Sequence, residues 1–97
     1  MKTSELTGPA LDRAVAMANG NTGHFLIDGY SPSTNWAQGG PIIERAGISV
    51  REVLTGFWCA EVDAGDYEYE GPTPLIAAMR CYVASKLGDE VEVPCEQ

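Results

Sequence analysis

A chain of 97 residues with 44% hydrophobic content has room for one small core, which excludes a second domain. None of its apolar runs approaches the roughly 20 residues that span a bilayer, and the opening MKTSELTGPA lacks the apolar centre of a signal peptide. A formal charge of -8, with six Lys and Arg dispersed along the sequence, excludes ordinary phosphate-backbone binding, which needs clustered cations.

The same numbers carry positive expectations. An acidic surface suits solubility, a basic protein partner or imitation of a nucleic acid. Cys59, Cys81 and Cys95 form no C-x-x-C pair and have only His24 beside them, so reduced thiols in a cytosolic protein are expected, with no metal and no cofactor.

In chain order, Thr7-Gly8-Pro9 opens a first helix, with Thr7 as cap and Pro9 in the first turn where its missing N–H is harmless. Leu11, Ala14, Val15 and Ala18 recur at helical spacing and face the core, and Asn19-Gly20 ends the helix. His24 to Asp28 is short and apolar enough for a strand.

The central stretch YSPSTNWAQGGPIIER, Tyr30 to Arg45, has the composition of a built site. Tyr30, Trp36, Ile42 and Ile43 are expected to anchor it in the core. Ser31, Ser33, Thr34, Asn35 and Gln38 supply hydroxyls and amides, and Gly39-Gly40 lets the backbone approach a neighbour. Ser33 or Thr34 is the expected N-cap, and Gly39-Gly40-Pro41 is expected to divide the segment into two short helical pieces, the second closed by Gly47. The exposed amides at the two helix starts suit an anion, although a capped start more often serves only its cap.

From Ile48 the period changes to two. Ile48 to Leu54, a turn at Thr55-Gly56, Phe57 to Val62, a second turn at 63–66 and Tyr67 to Glu70 predict an antiparallel meander. Its acids Glu61, Asp63, Asp66, Glu68 and Glu70 fit a solvated strand face better than a catalytic cluster. Thr73 caps and Pro74 starts a long helix whose stripe is Leu75, Ala78, Met79, Tyr82, Val83 and Leu87, closed by Gly88. Arg80 lies off that stripe, placed either to take a carboxylate or phosphate bidentately or to pair with a strand glutamate. The acidic tail 89–97 is expected to lie loosely on the surface or against a neighbouring subunit.

The fold expected is therefore one α+β domain over residues 1–97. An N-terminal helix, a short broken helix, a meander of about three strands and a long C-terminal helix pack together. Leu11, Val15, Trp36, Ile43, Val50, Trp58, Ala60, Leu75, Met79, Tyr82 and Val83 are the expected core. No phosphate-binding loop, dinucleotide fingerprint, H-E-x-x-H or nucleophile elbow is present, and the sole histidine has no motif partner, so no enzymatic activity is expected.

Three segments, TSELTGPALDRAVA, the central stretch and GPTPLIAAMRCYVASKLGDEVEVP, together resemble the NinX-type family of small phage proteins. Such families commonly carry an aspartate before the tryptophan, where this chain has Asn35. The layout is also similar to phage domains described as helix-sheet-helix sandwiches. The resemblance implies phage origin and expression in the host bacterial cytoplasm, and by itself no activity.

On that basis a counter-defence accessory protein is expected. In one form, Tyr30, Ser31, Ser33, Thr34, Trp36, Gln38, Gly39, Gly40, Arg45, Thr73 and Arg80 bind and sequester a nucleotide-derived signal, with Trp36 or Tyr30 stacking on a base. Such a pocket would sit at the interface of a homo-oligomer, since so short a chain leaves little internal room. In the other form the acidic face covers a host defence or nucleic-acid-binding protein. A third form is a subunit of a phage recombination or replication assembly. None requires direct nucleic-acid or membrane contact.

Overall fold

The computed structural model describes residues 2–18, 31–62 and 67–91. A short 3-10 helix, Thr3–Glu5, leads into α1 (Gly8–Ala18), then α2 (Trp36–Ala46), β1 (Ser49–Leu54), β2 (Phe57–Val62), β3 (Tyr67–Gly71) and α3 (Pro74–Leu87). The three strands form one antiparallel sheet in the order β1-β2-β3, the expected meander in an α+β domain. The expected strand at His24 to Asp28, the helix end at Asn19-Gly20 and the turn at 63–66 lie outside the described residues.

Helix α3 is the centre of the molecule. It packs against all three strands on one side and against α1, α2 and the 3-10 helix on the other. Leu75, Ala77, Ala78, Met79, Cys81, Tyr82, Val83 and Ala84 are all buried, so the helix is enclosed around most of its circumference and not along one stripe. Its alanines let the sheet and helices approach closely. Leu87, the expected last member of the stripe, is 38% exposed. The start is as the sequence predicts: Thr73 Oγ1 accepts the Ile76 N–H at 3.1 Å, and Pro74 opens the first turn.

The other core positions follow periodicity. Leu11, Ala14 and Val15 are fully buried on α1, and Ala60 and Val62 are buried on the inner face of β2. Ile43, Val50 and Trp58 are partly buried against the same cluster. The hairpin has Leu54 opposite Phe57, and its register slips between Glu52 and Leu54, which leaves Val53 as a bulge.

Three expectations are corrected. Trp36 is 56% exposed and does not anchor the core. The central segment is one continuous helix, with Pro41 inside it. The missing N–H is tolerated because Pro41 and Ala37, whose carbonyl would have received it, are both exposed on the solvent side of the helix. The N-cap is Asn35, not Ser33 or Thr34: its side chain accepts the Ala37 N–H at 2.8 Å. Gly47, at φ 72, closes α2 as expected.

The beginning of the tail is docked, not loose. Lys2 bridges to Glu90, the Thr3 N–H donates to the Asp89 carbonyl at 2.9 Å, and the Thr3 hydroxyl donates to the Gly88 carbonyl at 2.8 Å. Val91 is buried beside them. Residues 92–97 lie outside the described set. Among the described residues, no helix is long and apolar enough to cross a membrane.

Candidate functional site

The turn before α2 is built from its own polar groups. The Ser31 carbonyl accepts the N–H groups of Thr34 at 3.1 Å and Asn35 at 2.9 Å, and the Gln38 side-chain oxygen accepts the Ser31 N–H. The Ser33 N–H donates to Asp12 Oδ1 at 2.9 Å, tying the turn to α1. Asn35 is spent on capping. An aspartate at position 35 would cap equally well, so the absence of a charge there is neutral for the helix start.

Packing holds the same turn from the other side. A Cβ on Gly39 would collide with the Pro32 carbonyl and lie 2.6 Å from Leu75 Cδ2, so this glycine lets α2 press onto the turn and α3. Gly40, one residue on, faces open space. Ser33 is buried, and its hydroxyl has no hydrogen-bond partner of good geometry, although it lies close enough to help hold the Asp12 charge. Burial is the stronger influence and pushes the Asp12 carboxyl above the ordinary 3.8.

The expected ligand residues are therefore distributed. Ser31, Ser33, Gln38 and Gly39 form the inside of the turn, whereas Thr34, Trp36 and Gly40 lie on its outer side. Thr73 is the cap of α3, and Arg45 is exposed in the last turn of α2, where its charge complements the helix dipole. Tyr30 lies outside the described residues. Arg80 stands apart from the turn: its Nε donates to the Leu6 carbonyl at 2.9 Å and a terminal nitrogen donates to the Glu70 carbonyl at 2.7 Å. Both bonds go to backbone, so its expected pairing with a strand carboxylate is replaced by stitching the N-terminal segment to the end of β3. Burial lowers its pKa.

Concave surface lies elsewhere. A cleft of about 470 Å³ is lined by Ser4, Phe57, Glu68, Tyr69, Glu70, Gly71 and Arg80. It shares Phe57 and Glu70 with a recess of about 180 Å³ lined also by Val53, Leu54 and Trp58. At the hairpin end, Val53, Leu54 and Phe57 are 51%, 65% and 54% exposed, an apolar cluster beside carboxylates. Sequence reasoning treated these residues as ordinary strand ends. The usable signal was the pair of large apolar residues flanking Thr55-Gly56, a turn with no room to bury both.

The outer face of the sheet carries the charge. Arg51 on β1 meets Glu61 on β2 at 3.0 Å and Glu68 on β3 at 3.1 Å, linking the three strands. Beneath this bridge the Cys59 thiol donates to Glu68 Oε2 at 3.0 Å. Burial, then the Glu68 bond and charge, pushes that thiol up to about 11, so it stays protonated and is a poor nucleophile at neutral pH. The thiol bond and the Arg51 guanidinium hold the Glu68 carboxyl below its ordinary value. Cys81 is also buried. Among the described residues, no group of three His, Cys, Asp or Glu side chains is placed to hold a metal.

The fold defines the class: a small α+β domain in which an antiparallel meander and two further helices enclose one central helix. Within that class the chain belongs to the family described as Bacteriophage P22, NinX, whose sequence pattern matches residues 2–86. That span runs from the first bridge residue to the penultimate residue of α3; it includes the first two segments that carried the resemblance and the third as far as Lys86. No curated protein matches the chain.

Proposed function

We propose that this phage protein is a non-enzymatic accessory protein that acts in the infected bacterium by covering a basic surface on a host protein, in the service of counter-defence. The observation that carries the reading is the hairpin end, where exposed Val53, Leu54 and Phe57 adjoin the carboxylate-bearing cleft. An exposed apolar anchor beside charged residues is the pattern of a protein-binding surface; Arg80 and Arg51 sit near the carboxylates here, and it is the overall charge of -8 that favours a basic partner.

Sequestration of a nucleotide-derived signal fits this geometry less well. The inner polar groups of the central turn are committed to the fold, and Arg80 directs two donors at backbone carbonyls. A phosphate entering the cleft beside Arg80 would also meet Glu68 and Glu70.

The test is recovery of the tagged protein during phage infection, beside a Leu54→Ser/Phe57→Ser variant and a Glu70→Lys variant, each checked for an unchanged melting temperature. Retention of a host protein by the wild type and its loss from both variants is expected. Release of a nucleotide from the wild type, with no host protein retained, would replace this reading with sequestration.

A further inference from the structure

We propose that the outer edge of β3 is a strand-addition site for an extended segment of a partner protein that carries Lys or Arg at alternate positions. The inference deepens the protein-binding reading above and rests on it.

β3 is the last strand of the sheet, and among the described residues no backbone group of another element bonds to Glu68 or Glu70 on its outer side. An unpaired edge is a template for a further strand. The Glu70 carbonyl, held by Arg80 together with the carbonyl of Leu6, a residue outside the sheet, points off this edge. Along an antiparallel strand the N–H and C=O of one residue share a side, and the side alternates from residue to residue. The Glu70 N–H and both backbone groups of Glu68 therefore point the same way, into the cleft that runs along β3 past Ser4.

Charge selects the occupant. Glu68 and Glu70 project from the same face of β3, and the Glu70 carboxylate has no ion-pair partner among the described residues. A second copy of β3 added here would set these carboxylates against their own counterparts, which disfavours self-pairing. A basic strand sets one cation opposite the unpaired Glu70 and a second beside Glu68, which Arg51 already holds. Its alternate side chains face Tyr69, which calls for apolar residues between the cations.

The experiment titrates the purified full-length protein with a seven-residue peptide, Val-Lys-Val-Lys-Val-Lys-Val, followed by calorimetry and by amide NMR. The Glu68 and Glu70 amides are expected to shift and to gain protection from exchange. N-methylation of alternate peptide residues along one edge is expected to weaken binding tenfold or more, whereas N-methylation along the other edge leaves it unchanged. Glu70→Lys is expected to weaken binding at least tenfold. Equal binding of the two methylated peptides, shifts confined to α2 or the hairpin end, or no binding at millimolar peptide would each overturn the proposal. A host protein retained through Leu54 and Phe57 with no peptide binding sinks this inference alone. Peptide binding with no host partner in infected cells sinks the earlier reading alone.

Discussion

The Asp12 carboxylate accepts the Ser33 N–H at 2.9 Å across 21 positions of sequence, and this one bond fixes the central turn against α1. Because burial raises the Asp12 pKa, its contribution favours folding below the ordinary 3.8 and is lost as pH rises through the folded value. Asp12→Asn keeps an acceptor without a buried charge. It is expected to match or exceed wild-type stability at pH 7, whereas Asp12→Ala, which orphans the Ser33 N–H, loses about 1–3 kcal/mol. Urea unfolding of both variants at pH 7 decides this; equal losses would assign the role to packing.

Adjacent glycines are expected to respond in opposite directions. Gly39→Ala forces a methyl into the Pro32 carbonyl and Leu75, and is expected to destabilise the protein by about 1–3 kcal/mol. Gly40→Ala meets open space within a helix and is expected to stabilise it by about 0.5–1 kcal/mol. Thermal unfolding of the two proteins gives melting shifts of opposite sign.

Cys59 is expected to resist alkylation. With its thiol pushed up to about 11, iodoacetamide at pH 8 modifies it far more slowly in the native state than in urea. Glu68→Gln removes a neighbouring negative charge and is expected to speed the native reaction. The Glu68 pKa lies below its ordinary 4.5, so its stabilising part is present above 4.5 and is lost as pH falls through the folded value. The variant should lack that component in an acid titration monitored by circular dichroism.

Removal of Arg80 is expected to weaken the fold before it weakens any binding. Arg80→Ala leaves the Leu6 and Glu70 carbonyls without their donor, a loss of about 1–3 kcal/mol. Arg80→Lys cannot reproduce two directed N–H bonds and recovers only part of it. A melting temperature unchanged in Arg80→Ala would show that these bonds are dispensable.

The meander, α1 and α3 were legible in the sequence because period and caps are local properties, as Thr73-Pro74 and the Thr55-Gly56 turn illustrate. The orientation of α2 was not legible. Its buried face carries Gly39 beside Ile42 while Trp36 points outward, the reverse of a hydrophobicity ranking. The cause is the closeness of Pro32 and Leu75, which only the tertiary structure supplies. Arg80 was recognised as unusual, but its partner Leu6 lies 74 positions away and leaves no mark near it. The polar residues of the central motif had the composition of a binding site, yet the bonds of Ser31, Ser33 and Gln38 turn inward, a direction that composition does not encode.

The central position of α3 bears on how the protein is made. Every other element rests on a helix that is synthesised after it, so a nascent chain that has not yet reached Pro74 carries three strands and two helices with nothing to bury them against. Such a chain must stay unfolded, or in the hands of a chaperone, until α3 clears the ribosome, and burial of the core then proceeds in one late step. Ribosome stalling that exposes residues up to Gly71 should therefore yield a protease-sensitive chain, and release of the next twenty residues a resistant one.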